Sequence, residues 1–113
     1  MGRTWERIKW LPKEDSWCVN RFIEKYFENL IKFDQRINSK DMDSEIDLYI
    51  GTFNSRRTRG SIKMKFHNIE YLAYDYVNKK LRKNYELKGL EHSSKQSIEI
   101  WQTQIKNYEN NNK

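Results

Sequence analysis

The sequence predicts a mainly α-helical single domain, with a β-hairpin or an irregular basic loop at its centre and two helices after it. Three observations carry that expectation. Apolar residues from Val19 to Ile37 fall at i, i+3, i+4 and i+7, and the same spacing returns at Ile69–Leu81 and Ile98–Tyr108. Between these stretches, Ile46–Ile50 and Ile62–Phe66 place an apolar side chain at every second residue, the period of a strand. Aromatic residues make up 14% of 113 residues, enough rings for one core, in a chain too short for a second domain. If the hairpin forms, the class becomes α+β.

Residues 1–12 hold Trp5, Trp10 and Leu11 among Arg3, Arg7 and Lys9, and end at Pro12, the only proline. They read as a helical turn or an extended arm, with the Trp rings capping the edge of the core or lying on nucleic acid. Asp15 or Ser16 is the expected N-cap of a long amphipathic helix. Val19, Phe22, Ile23, Tyr26, Phe27 and Leu30 form its apolar stripe, read as core or as the seam of a homodimer. Glu28 and Lys32 sit four apart on the polar face, in the favourable order. Asn54, Ser55 and Gly60 separate the two alternating runs and suggest a long hairpin loop. The competing reading of the first run is a short helix begun by Asp43 or Ser44. Asn68 is the expected N-cap of the next helix, and Ser93-Ser94 that of the last. The Asn-rich tail from Glu109 to Lys113 is expected to fray.

Composition excludes several classes. Cys18 is the only cysteine, which rules out an intramolecular disulfide and a cysteine-rich metal site and points to a reducing, cytoplasmic setting. No apolar run has the length of a membrane span, and the N-terminus carries no apolar signal-peptide core, so no membrane partner is expected. No cofactor is expected either.

The net charge of +6 is concentrated. Residues 41–55 carry four acidic groups and no basic one, while residues 56–83 carry nine basic and two acidic groups. A basic block attracts phosphate backbones by counterion release, and it would also attract an acidic protein surface. The candidate nucleic-acid-binding residues are therefore Arg56, Arg57, Arg59, Lys63, Lys65, Lys79, Lys80, Arg82 and Lys83. Three Arg within four loop positions exceed what solubility requires, and an Arg-rich loop can grip phosphates or enter a minor groove. The cations at 79–83 also suit a helix C-terminus.

The C-terminal part admits a helix-turn-helix reading, with helices over 69–81, Tyr85–Leu90 and Ser94–Tyr108, the last exposing Lys95, Gln96, Glu99, Gln102 and Lys106. Ser93-Ser94-Lys95-Gln96-Ser97-Ile98-Glu99-Ile100-Trp101 resembles the Ser-x-x-x-Ile-x-x-Trp recognition helices of transposase-type modules. Across residues 20–83, a helix, Arg36-Ile37, the acidic Asp41–Asp47 stretch, Ile50-Gly51, a Ser/Thr-bearing segment and another helix resemble the front half of RinA/ArpU-type phage transcriptional regulators. That resemblance implies DNA binding, on a duplex, in transcriptional or DNA-transaction control in a phage or mobile element. The alternative is an interaction module or inhibitor that presents the basic loop or Asp41–Asp47 to a host nucleic-acid-handling protein.

Enzymatic readings are weaker. Tyr49-Ile50-Gly51 followed by Arg59 resembles the second half of a GIY-YIG nuclease, yet no Gly-Ile-Tyr strand precedes it. Asp41, Asp43, Glu45 and Asp47 are oxygen donors of the kind hard cations take, but Ile62-Lys63-Met64-Lys65 lacks the acid a restriction-type nuclease needs. The chain is read as a binding protein and not as an enzyme.

Overall fold

The computed structural model describes residues 9–111, so Trp5 and the expected arm around it lie outside the described residues. Five helices form: α1 (Pro12–Lys25), α2 (Phe27–Phe33), α3 (Ser39–Phe53), α4 (Arg59–Lys80) and α5 (Lys95–Asn111). No strand occurs among the described residues, so the mainly α expectation holds and the hairpin does not.

Both supposed strands are helix. On α3 the buried residues are Met42, Glu45, Ile46 and Tyr49, and the buried residues at the start of α4 include Ile62, Lys65, Phe66 and Ile69. Each set is an i, i+3, i+4, i+7 stripe with one charged member. Counting Glu45 and Lys65 as surface residues left only the accidental alternation visible. Leu48 and Met64, which completed that alternation, are in fact 43% and 53% exposed.

The helix ends follow local chemistry. Pro12 occupies the first turn of α1, where its missing N–H loses nothing, and the Glu14 carboxylate accepts from the Leu11 N–H at 2.8 Å. Asp15, expected as the cap, is therefore inside the helix and fully buried. The long helix expected from Trp17 to Ile37 breaks at Tyr26 (φ −123°, ψ −21°), and α2 stops at Asp34 in the left-handed region (φ 54°). Asn38 caps α3 through its side-chain oxygen, and Asn54 ends it at φ 49°, a conformation Asn tolerates. Thr58, not Asn68, begins α4 by accepting from the Ser61 N–H at 3.1 Å. Ser94 caps α5 as the sequence suggested, accepting from the Ser97 N–H at 3.1 Å. That helix continues through Asn111.

Side-chain pairings give the helix directions. Gln96 of α5 reaches Asp15, Gln104 reaches Ser16, and Tyr108 stacks edge-on against Phe27, so α5 runs parallel to α1. Lys65 meets Ser97, and Tyr76 donates to Glu109, so α4 runs the same way. By contrast Glu45 meets Arg21 while Tyr49 and Phe53 meet Trp17, which makes α3 antiparallel to α1. The core between them is ring-rich: Phe22, Phe27, Tyr49, Phe66 and Tyr74 are all fully or almost fully buried. Burying each such side chain stabilises the fold by about 1.5–3 kcal/mol.

Two parallel helices in succession require a return. Residues 81–94 supply it as a non-helical strap that runs back along α4. Asn78 holds the Tyr85 backbone at both ends, at 2.8 and 3.0 Å, and the Tyr85 hydroxyl donates to the Ile31 carbonyl at 2.6 Å. Lys88 pairs with Asp34 at 3.0 Å, and the Leu90 N–H donates to the His67 carbonyl at 3.1 Å. Gly89 passes so close to α4 that a Cβ there would stand 2.4 Å from the His67 carbonyl oxygen, at a φ of +93°. Only glycine fits.

Candidate nucleic-acid interface

The nine cations of the basic block have three fates. Arg57 and Lys65 turn inward, with side chains only 4% and 6% exposed. Arg59 and Lys79 stay at the surface in ion pairs, Arg59 with Asp47 at 2.6 Å and Asp43 at 3.5 Å, Lys79 with Asp75 at 3.2 Å. Arg56, Lys63, Lys80, Arg82 and Lys83 are exposed and have no carboxylate partner among the described residues. The Lys83 ammonium lies 5.9 Å from the centre of the Tyr85 ring.

The two inward cations build a clasp under Trp10. The Arg57 guanidinium donates to the Tyr49 hydroxyl at 3.1 Å, the Lys9 carbonyl at 2.9 Å and the Glu14 carboxylate at 2.9 Å. Lys65 pairs with fully buried Asp15 at 2.6 Å and donates to the Ser97 hydroxyl at 2.8 Å. Gln96 completes the set, donating to Asp15 at 2.6 Å and to the Trp10 carbonyl at 3.0 Å. Both cations rest against the Trp10 ring, 3.8 Å (Arg57) and 4.6 Å (Lys65) from its centroid. Burial pushes the Glu14 carboxyl up, but the Leu11 amide and the Arg57 guanidinium outweigh it and hold the group below its ordinary value.

Two further pairs, each with a buried carboxylate and a part-exposed arginine, tie helices together. Arg21 grips Glu45 with two parallel bonds of 2.9 and 2.8 Å, and Tyr26 adds a third at 2.6 Å. Burial acts to raise the Glu45 carboxyl, and these donors more than reverse it. Arg36 holds Glu70, which also accepts the Ile37 N–H at 3.2 Å and so fixes the linker between α2 and α3 onto α4. No local signal marks these partners: Glu14 and Glu70 look like ordinary surface acids, Asp15 like a helix cap and Glu45 like one donor of an acidic run.

Arg82 follows the last turn of α4 in the left-handed region, at φ 58°. Helices commonly place Gly or Asn there, since other side chains cost roughly 1 kcal/mol. The N–H of Leu81 bonds to the Val77 carbonyl at 3.0 Å and that of Lys83 at 3.4 Å, so the chain wraps around a strained arginine.

No family model, curated protein or solved structure matches this chain.

The expected helix-turn-helix does not form. Tyr85–Leu90 is strap, and α4 and α5 are parallel, where such a motif crosses its helices at about 90–120° after a short turn. Gln96, expected on a recognition surface, is engaged inside by Asp15 and Trp10. Asp43 and Asp47 lie exposed on the outer side of α3 around Arg59, and among the described residues no group of three or more His, Cys, Asp and Glu is arranged to hold a metal. Cys18 is buried and burial pushes its thiol up, which makes it unreactive. No helix among the described residues is long and apolar enough to cross a membrane.

Proposed function

We propose that the protein binds duplex DNA by phosphate contacts from the exposed cations at the two ends of α4, in a regulatory role of the phage or mobile-element kind that the RinA/ArpU resemblance implies. The observation that carries this reading is Arg82. A strained left-handed position that glycine would fill without penalty instead holds an exposed cation, flanked by Lys80 and Lys83, and neither neighbour is needed for an ion pair within the described fold. Lys63 and Arg56 offer a second group at the start of the helix. At about 1.5 Å per residue, Lys63 and Lys80 are about 26 Å apart along α4, less than the roughly 34 Å of one duplex turn. Phosphate contacts of this kind position a protein without reading sequence, so low sequence discrimination is expected from this surface alone.

The test is Arg82→Gly beside the triple change Lys80→Ala, Arg82→Gly, Lys83→Ala. Relief of the left-handed residue makes Arg82→Gly about 0.5–1 kcal/mol more stable than the wild type, while its affinity for a duplex at low salt falls. The triple variant loses most binding and lowers the salt dependence by about three phosphates' worth. Unchanged duplex affinity in the triple variant refutes the reading.

A further inference from the structure

We infer that Asp43 and Asp47 of α3 form an autoinhibitory contact with Arg59, an internal competitor for phosphate that withholds one arginine from the start of the α4 surface. This rests on the DNA reading and adds a regulation of the same site. Arg59 is the first residue of α4, and no acidic side chain follows it in the first turn. A cation there adds to the positive end of the helix dipole, where carboxylates are the favoured residues. The negative charge arrives instead from the neighbouring helix. The guanidinium reaches Asp47 at 2.6 Å and Asp43 at 3.5 Å, two carboxylates one turn apart on α3.

The contact has the chemistry of a phosphate contact. The planar fork that grips carboxylate oxygens grips phosphate oxygens by the same charge-assisted N–H donation. Lys63 stands four residues after Arg59, on the same side of α4 and about 6 Å along it, and Arg56 lies in the turn before. A phosphate backbone drawn to those two exposed cations comes within reach of Arg59. All three side chains of the contact are at least half exposed, so Arg59 can change partner without disturbing the core. Arg57 and Lys65 lack that freedom, because both are buried with Glu14 and Asp15. The packing of α3 on α4 already holds the two aspartates beside Arg59, whereas a duplex must be recruited from solution with loss of its translational and rotational freedom. The aspartates therefore compete well with DNA even though each is an ordinary surface carboxylate.

The test is the duplex affinity of the full chain at about 50 and about 200 mM salt, for the wild type, for the double change Asp43→Asn, Asp47→Asn, and for Arg59→Ala in each background. The double Asn variant should gain one phosphate contact. Its log–log salt slope then steepens by about 0.9, and its advantage over the wild type is about 3.5 times larger at the lower salt than at the higher. Removing two negative charges also lessens repulsion of the duplex, an effect that acts whether or not Arg59 is present. Arg59→Ala separates the two: it should cancel the steeper slope in the Asn background and leave the slope of the wild-type background unchanged. All four proteins should melt within about 2 °C of one another, since every change is at the surface. An unchanged slope in the Asn variant, or the same change from Arg59→Ala in both backgrounds, overturns the inference and leaves the DNA reading standing. Failure of both the wild type and the Asn variant to bind a duplex ends the two together.

Discussion

Replacing Arg57 by Ala separates an interior role from a DNA-binding one. The side chain is 4% exposed and holds Glu14, Tyr49 and the Lys9 carbonyl, with its guanidinium on the Trp10 ring. Removing one partner of a buried ion pair leaves the other uncompensated and costs about 3–5 kcal/mol; because Glu14 keeps 13% of its side chain exposed, the lower end, about 3 kcal/mol, applies. For a chain of this length that loss lowers the melting temperature by about 12 °C. Arg56→Ala, one residue away and exposed, should change stability by less than about 0.5 kcal/mol, or about 2 °C. Arg57→Lys falls between them, since lysine keeps the charge but lacks the planar fork that reaches three acceptors and stacks on the indole. Thermal melts followed by far-ultraviolet circular dichroism measure all three. Equal melting of Arg57→Ala and Arg56→Ala would refute the clasp and return Arg57 to the surface.

Gly89→Ala should destabilise by at least about 2 kcal/mol, because the new methyl meets the His67 carbonyl oxygen at 2.4 Å in a backbone conformation that L residues avoid. Hydrogen exchange at Leu90 should accelerate with it, and an unchanged rate would mean that the strap does not depend on this approach. Gly51→Ala, inside α3 with open space around its Cβ, should stabilise by about 0.5–1 kcal/mol in the same melts. Glu14 and Glu45 have folded pKa values held below the ordinary 4.5, so the stability they supply is complete above that value and is lost as pH falls through the lowered ones. The melting temperature should therefore drop steeply below about pH 4.5, and Glu45→Gln should flatten part of that drop; a flat profile from pH 5 to 3 counts against both interior pairs.

The apolar stripes of α1, α4 and α5 were legible because they are built from aliphatic and aromatic side chains, whose burial needs no charged partner. Failure came where burial did need one. Glu45 and Lys65 occupy core positions of α3 and α4 only because Arg21 and Asp15 meet them from α1, 24 and 50 residues away in sequence. A lone chain with no knowledge of those contacts shows Ile-Asp-Leu-Tyr-Ile and Ile-Lys-Met-Lys-Phe, and alternation is then the simpler pattern. Capping had the same blind spot: Asp15 and Asn68 have good capping chemistry, but both are buried within helices that begin earlier. Among the cations, type and number were legible, whereas orientation was not, since nothing local distinguishes inward Arg57 from outward Arg56.

That distinction changes what a salt titration should show. Each of the pairs Arg57–Glu14, Lys65–Asp15, Arg21–Glu45 and Arg36–Glu70 joins one positive and one negative charge, so this pairing leaves the formal net charge of +6 unchanged. Long-range attraction to a polyanion survives, but the number of available phosphate contacts falls. Nine contacts on duplex DNA would give a log–log salt slope near −8, and five would give about −4.5. Exposed pairs such as Arg59–Asp47 and Lys79–Asp75 are worth about 0–1 kcal/mol and can open on binding, which extends the range to about −6. A slope near −8 would require Arg57 and Lys65 to leave their buried carboxylates at about 3–5 kcal/mol each, more than a phosphate contact returns. Measured duplex affinity between 50 and 200 mM salt should therefore follow a slope of about −4.5 to −6. A value near −8 would mean that the clasp under Trp10 opens on DNA, and a value near zero would end the nucleic-acid proposal.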